Sequence, residues 1–372
     1  MKKVKLGEVI YLNMGQSPES DSYNSERQGI PFFQGNADFG KINPLVRLWC
    51  NKPTKIAKKN DILLSVRAPI GAINIANCEC CIGRGLCAIT PREKIISSKY
   101  LYFGLMGLKN YLISKGTGST FKAINKNILL EAEIPLPSVE EQKEIADRLD
   151  KVSSLIEKRK TQLSKLDQLI KSRFIELMGC AELSEEITIE QITERVKVGF
   201  VGTCEKYYTD ASGIPMLRTG NITDHGIDMS DLKYVTAEFH EKNKKSQIKS
   251  GDLLIARHGS NGQANVYVGS EAQCLNAVVI VPNPAIAKSV FLAGLINSPN
   301  VKEQIDRTLV GSTQHVVNTK SIANLVVRIP QLIVQEQYEV FVEQVNKSKL
   351  AIQKSFDKLE TLKKSLMQQY FG

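Results

Sequence analysis

Ile134-Pro135-Leu136-Pro137-Ser138-Val139-Glu140-Glu141-Gln142-Lys143-Glu144-Ile145-Ala146 leads from an apolar run, through two prolines, into a long helical pattern, and the chain returns to this phrase at Ile329-Pro330 and Glu336-Gln337. After Gln142 the apolar positions recur at alternating spacings of four and three: Ile145, Leu149, Val152, Ile156, Leu163, Leu166, Ile170 and Leu177, with Arg159 and Arg173 filling two places in the same row. That spacing keeps one helix face apolar for about 33 residues, the pattern of a coiled-coil seam. A second seam follows at a constant offset: Tyr338, Val342, Val345, Ile352, Phe356, Leu359, Leu366 and Tyr370, with Lys349 and Lys363 as its basic members. Gly179 and Gly372 stand just past the two ends, so prolines before and glycines after predict two long helices.

Outward from the helices the repetition continues. Gly29-Ile30-Pro31 is matched by Gly213-Ile214-Pro215, Asp61-Ile62-Leu63-Leu64 by Asp252-Leu253-Leu254-Ile255, and Gly118-Ser119-Thr120 by Gly311-Ser312-Thr313. A period this long is a domain duplication and not a solenoid. The predicted organisation is a globular domain over 1–137, a helical spacer over 138–180, a second globular domain over 181–330 and a C-terminal helical spacer over 331–372. Short β-rich runs between Gly, Pro and Asn clusters make the globular parts mixed α/β, with helices over Ser97 to Ser114 and Ala287 to Thr308. Each seam needs a partner, and the other seam is the nearest one. One helix leads from the first domain to the second and the other leads back, so their pairing is antiparallel and turns a head-to-tail repeat into a pseudo-two-fold object. About 36 helical residues span about 54 Å, on the order of 16 base pairs of duplex DNA.

The 372 residues suffice for two domain-sized cores, and no window of some eighteen uncharged apolar residues or signal-like leader is present, which predicts a cytoplasmic protein without a membrane span. The net charge of +10 is uneven: residues 1–137 hold 19 Lys and Arg against 10 Asp and Glu, whereas 181–330 hold 15 against 16. A basic balance of this kind suits a polyanion such as double-stranded DNA. Cys78, Cys80, Cys81 and Cys87 lack paired C-x2-C spacing and His225, His240, His258 and His315 are scattered, so the expectation is buried reduced thiols and no metal site.

Catalytic signatures are missing. Asn43-Pro44-Leu45 and Asn283-Pro284-Ala285 lack the second proline and the aromatic of an amino-methyltransferase loop, and no G-x4-G-K-[ST] motor sequence occurs. Gly116-Thr117-Gly118-Ser119-Thr120 lacks a P-loop lysine but could wrap a backbone phosphate with main-chain N–H groups. Glu141-Gln142-Lys143 has nuclease-like spacing without an acidic strand beside it and reads as helix surface.

Gly15-Gln16-Ser17-Pro18 with Tyr23-Asn24, then Gly29-Ile30-Pro31-Phe32-Phe33-Gln34-Gly35-Asn36, a Gly-Ser-Thr segment and the Ile134 to Ala146 phrase together resemble the specificity subunit of a type I restriction-modification system. In the second copy Gln331-Leu332-Ile333 replaces the proline after Ile-Pro, and Gly202-Thr203 reads as the match to Ser17-Pro18. The resemblance implies an α+β architecture of two target recognition domains, each reading one half of an asymmetric bipartite site, separated by two long helices in an antiparallel coiled coil. It implies a non-catalytic chain that docks two methyltransferase subunits and, through them, restriction and translocase subunits. S-adenosylmethionine, ATP and Mg would belong to those partners, with no cofactor in this chain. Competing readings are a self-sufficient nuclease or methyltransferase with divergent motifs, and a paired-domain interaction protein that never meets DNA.

Base readers are expected among polar loop residues, because Arg or Lys pairs with guanine and Asn or Gln with adenine in the major groove. In the first domain these are Gln34, Asn36, Arg67, Ser119, Thr120, Lys122, Asn125 and Lys126. The counterparts in the second are Arg218, Asn221, Arg257, His258, Asn261, Ser312, Thr313, Gln314, His315 and Lys320.

Overall fold

In the first half of the chain the short apolar runs become β1 (Lys3–Lys5), β2 (Ile10–Met14), β3 (Tyr23–Asn24), β4 (Ile30–Phe33), β5 (Leu48–Cys50), β6 (Ile56–Ala57), β7 (Ile62–Ser65), β8 (Ile73–Ile75), β9 (Cys80–Ile82), β10 (Leu86–Pro91) and β11 (Glu133–Pro135). Helices α1 (Leu6–Val9), α2 (Ser98–Gly107), α3 (Lys109–Lys115) and α4 (Lys126–Glu131) are interspersed, and α5 (Val139–Cys180) follows. The structure is a computed structural model, and it describes residues 2–118, 122–223, 226–257, 262–309 and 316–372.

The second half is built from β12 (Ile187–Thr188), β13 (Thr193–Val198), β14 (Tyr208–Thr209), β15 (Ile214–Leu217), β16 (Ile222–Thr223), β17 (Gly226–Ile227), β18 (Lys233–Val235), β19 (Gln247–Ile248), β20 (Leu253–Ala256), β21 (Ala264–Val266), β22 (Ala272–Cys274), β23 (Ala277–Pro282) and β24 (Val326–Val327). Its helices are α6 (Ala237–Lys242), α7 (Ser289–Ile296), α8 (Pro299–Leu309), α9 (Thr319–Ala323) and α10 (Leu332–Phe371).

The sheets of the two halves have one topology. The order β2-β10-β7-β8 is repeated as β13-β23-β20-β21, β3-β5-β4-β9-β6 as β14-β18-β15-β22-β19, and β1-β11 as β12-β24. In both five-stranded sheets the central pair, β4 with β9 and β15 with β22, is parallel and the other pairs are antiparallel. Only the small β16-β17 ribbon has no equivalent among the described residues.

Period-two alternation in the central strands explains the layering. Ile62 and Leu64 point into a cluster with Leu101, Leu105, Ile134 and Leu149, while Leu63 between them points the other way, against Phe33, Ile82 and Ala88. Leu253 and Ile255 likewise join Phe291, Ile322 and Tyr338, and Leu254 joins Leu217, Ala272 and Val279. Each four-stranded sheet is thus buried on both faces, by helices on one and by the five-stranded sheet on the other. Cys80, Cys81, Cys87 and Cys274 lie in these interiors as free thiols, and burial pushes those of Cys80, Cys87 and Cys274 up to about 12.

Two compact units result, Met1–Thr161 with Gln353–Gly372, and Gln162–Ile352. Each unit takes a part of both long helices. In the first, Ile145 and Leu149 of α5 pack with Leu366 and Tyr370 of α10, and Arg148 Nη1 donates to the Tyr370 hydroxyl at 3.3 Å. In the second, the Phe174 ring lies 5.3 Å from Tyr338 and 5.5 Å from Phe291. Lys349, one of the basic members of the seam, donates to Asp167 Oδ1 at 2.6 Å, so a cation within the stripe finds an acid on the facing helix. Residue numbers rise along one helix as they fall along the other, which is the antiparallel pairing expected of the seams.

Both predicted helices before the spacers are broken. Ser97 to Ser114 divides at Leu108, after the weak helix former Gly107. Ala287 to Thr308 divides at Asn297-Ser298, where Pro299 disfavours helix in the residue before it. The Asn297 amide there exchanges two hydrogen bonds of 2.8 Å with the backbone of Ala264.

The opening phrase has a mechanical explanation. Gln142 is fully buried, accepts from Ser97 N at 2.9 Å and donates to Ile95 O and Pro137 O, clamping α5 to its own globular part. Gln335 does the same for α10, accepting from Lys288 N at 2.9 Å and donating to Ile286 O and Pro330 O. Gln142 therefore corresponds to Gln335 and not to Gln337, and Pro137 to Pro330, each proline lying five residues before its glutamine.

Candidate nucleic-acid interface

The C-terminal ends of β2, β4, β7 and β9 meet at one edge of the first unit, and backbone hydrogen bonds tie the loops leaving them together. Gly15 N donates to Leu86 O at 2.9 Å, Gln16 N to Ile82 O at 3.0 Å, Gly83 N to Phe33 O at 2.8 Å and Val66 N to Gly85 O at 3.0 Å. Arg67 bridges Ala123, and Ala68 N donates to Lys122 O at 3.2 Å, which adds the segment before α4 to this crest.

Gln34, Arg67 and Lys122 are exposed on the crest. Gln34 is oriented from two sides: its backbone N–H donates to Asp38 Oδ2 at 2.8 Å, and its side-chain Nε2 donates to Ser17 Oγ at 2.9 Å. Asn36 opens the short 3-10 turn Asn36–Asp38 and is half-buried. Asn125 is the cap of α4, its Oδ1 accepting from Ile128 N at 3.0 Å, and the exposed Lys126 follows it. With one lone pair of the oxygen spent on the helix cap, the Asn125 side chain is fixed in place and its amide nitrogen stays open to another partner.

The second unit has the same crest with other occupants. Gly199 N donates to Ala277 O at 2.9 Å and Phe200 N to Cys274 O at 2.7 Å, reproducing the bonds of Gly15 and Gln16. Val201-Gly202, and not Gly202-Thr203, therefore stand where Ser17-Pro18 stand. Arg218 occupies the place of Gln34, but its Nη2 donates at 2.9 Å to both the carbonyl and the carboxylate of Asp231.

Asn221 departs from the expectation of a base reader. It is 3% exposed, its Oδ1 accepts from Arg218 N at 2.9 Å, and its Nδ2 donates to Asp228 O and Asp231 O at 3.1 and 3.0 Å. That is the office of Asp38, whose carboxylate receives Gln34 N, so Asn221 corresponds to Asp38 and its polar atoms are occupied by the loop.

Arg257 also has a different counterpart from the expected Arg67. Val317 N donates to Arg257 O as Ile124 N donates to Val66 O, so Arg257 replaces the buried Val66. It is half-buried, with Nη1 donating to Asn276 Oδ1 at 3.1 Å and Nε to Val317 O at 3.4 Å. Lys320 is exposed on α9, which is capped by Asn318 as α4 is by Asn125. Ser119, Thr120, His258, Asn261, Ser312, Thr313, Gln314 and His315 lie outside the described residues.

Among the described residues no group of three or more His, Cys, Asp or Glu could hold a metal ion, and no helix is long and apolar enough to cross a membrane. Apposed loops of Gln, Arg, Lys and Ser at the end of a buried sheet form a hydrogen-bonding surface, suited to nucleic-acid edges and phosphates.

Comparison with known proteins decides the family. The sequence profile of the type I restriction modification DNA specificity domain matches residues 1–168 and again 186–364. The chain belongs to that family. Its members are DNA-recognition subunits and not catalytic ones, and the duplicated sheets are two copies of its domain. A protein of Methanocaldococcus jannaschii named for the specificity subunit of the type I restriction enzyme MjaX is 45% identical over 172 residues, which covers 45% of this chain and 40% of that relative. The EcoBI specificity subunit of Escherichia coli is 20% identical over 91% of this chain and 77% of its own length. The crystal structure of a type I restriction-modification S subunit from M. genitalium shares the fold over 100% of this chain and 96% of that one, with a TM-score of 0.64 and 16% identity.

Proposed function

We propose that the chain is the DNA-specificity subunit of a type I restriction-modification enzyme, each unit reading one half of an asymmetric bipartite target through its crest. The observation that carries this reading is the repetition of one sheet order and one set of crest hydrogen bonds with different side chains placed on it. Identical frames with unlike surfaces suit unlike half-sites.

In the first unit Gln34, Asn36, Arg67, Lys122 and Lys126 take part, and in the second Arg218, Arg257 and Lys320. The segments holding Ser119 and Thr120, His258 and Asn261, and Ser312 to His315 adjoin the two crests in sequence and share the task. Functionally the chain divides at 1–137, 138–180, 181–330 and 331–372. The helices set the unspecified spacer and dock two methyltransferase subunits, through which restriction subunits join. S-adenosylmethionine, ATP and Mg are bound by those partners, in the cytoplasm.

The test is methyl transfer from labelled S-adenosylmethionine to duplex DNA by the purified chain, alone and with its methyltransferase subunit. Incorporation only in the mixture is expected. Incorporation by the chain alone would restore the reading of a divergent methyltransferase.

A further inference from the structure

The loop Gly83-Arg84-Gly85 joins β9 to β10 at the centre of the first crest, between the buried Ile82 and Leu86. Gly83 and Gly85 are buried and Arg84 is exposed. A Cβ on Gly83 would stand 2.6 Å from Gln34 Oε1, and one on Gly85 would stand 2.6 Å from Gln34 O. The loop is thus pressed against Gln34 and can carry a side chain only at its apex.

The apex is held on several sides. Arg84 N donates to Ser17 Oγ at 3.3 Å, the same oxygen that receives Gln34 Nε2 at 2.9 Å. On either side of it, Gly83 N and Gly85 N donate to Phe33 O and Gln34 O. The backbones of Arg84 and Gln34 are therefore fixed relative to each other through one hydroxyl. Gln34 keeps Oε1 and one N–H, an acceptor and a donor side by side, and the Arg84 guanidinium forms no ion pair among the described residues.

Among the described residues the second unit has no equivalent. Between β22 and β23 only Leu275-Asn276 intervene, Asn276 adopts φ 54°, and its side-chain oxygen is taken by Arg257. Val201 stands where Ser17 would receive the two donors.

We propose that Arg84 is a specificity-determining residue for the half-site read by the first unit, its guanidinium pairing with a guanine beside the base met by the Gln34 amide, and that Ser17 is the positioning residue for both. This rests on the reading of the chain as a DNA-specificity subunit. The guanidinium fork matches O6 and N7 of guanine in the major groove, and a pinned backbone holds the side chain's attachment point without further ordering. An exposed lysine on a mobile loop would serve a phosphate equally well; two glycines walled against Gln34 serve geometry.

The full chain, coexpressed with its methyltransferase subunit, is compared with Arg84→Ala, Arg84→Lys and Ser17→Ala by base-resolution mapping of methylated sites and by duplex binding at several salt concentrations. Arg84→Ala is expected to make one guanine position of one half-site degenerate, with roughly 10- to 100-fold loss of discrimination there, while the other half-site is unchanged. Arg84→Lys should retain DNA affinity without restoring that discrimination, and Ser17→Ala should blur the same position and its neighbour. Uniform weakening on all duplexes with a salt slope reduced by about one would make Arg84 a phosphate contact and overturn the proposal. An unchanged map would overturn it too. A wild-type complex with no sequence preference would instead overturn the specificity reading itself, and the Arg84 assignment with it.

Discussion

The two crests share their hydrogen-bonded frame and differ in whether their arginines are engaged by the loops. In the first unit Arg67, Lys122 and Gln34 stand exposed on loops tied together by backbone bonds, and residues 1–137 carry nine more basic than acidic residues. In the second, Arg218 is bound to Asp231 and Arg257 to Asn276, and residues 181–330 carry one more acid than base. Duplication conserved what positions the loops, namely the sheet order, the asparagine caps of α4 and α9 and the glutamine clamps. It left free what the loops present. A surface of free cations draws in a polyanion before any base is read, whereas paired arginines contribute direction more than charge.

The frame can be broken first. Leu149 is fully buried between α5 and the first unit's core, and Leu149→Ala is expected to cost about 2–5 kcal/mol in urea unfolding. The clamps test equivalence directly: Gln142→Ala and Gln335→Ala each remove three hydrogen bonds from buried surroundings and should each cost about 1–3 kcal/mol. Similar losses would sharpen the comparison. A large loss for one and none for the other would break the claim that both helices are anchored by the same device.

A smaller contrast separates frame from surface within the crests. Asn221→Ala should cost about 1–3 kcal/mol, because three hydrogen bonds to the backbone are lost from a buried place. Gln34→Ala should stay within about 0.5 kcal/mol, since its side chain is exposed, while weakening cognate DNA binding. A stable Asn221→Ala with altered sequence preference would return that residue to the readers.

The long helices and the duplication were legible in the sequence because a seam of alternating four and three spacing is a strong periodic signal. Strand order was not, since strands of two to six residues carry too little pattern to choose neighbours. The site was legible as a set of loops and misread at single residues. Asn221, Arg257 and Gln337 carry the same letters as Asn36, Arg67 and Gln142, whereas the structure pairs residues by the backbone group they satisfy. A turn of four residues from Gln34 to Asp38 becomes one of three from Arg218 to Asn221, a shift of one residue that exchanges a reader for a cap. Arg84 lies inside a cysteine-rich stretch that reads as buried strand. Its signal was the glycine on either side.

The central claim is that one frame carries two unlike readers. Base-resolution mapping of N6-methyladenine produced by the full chain with its methyltransferase subunit tests it most directly. A single bipartite motif is predicted, with two different half-sites separated by unspecified positions. A continuous motif, or two half-sites related by palindromic symmetry, would contradict it.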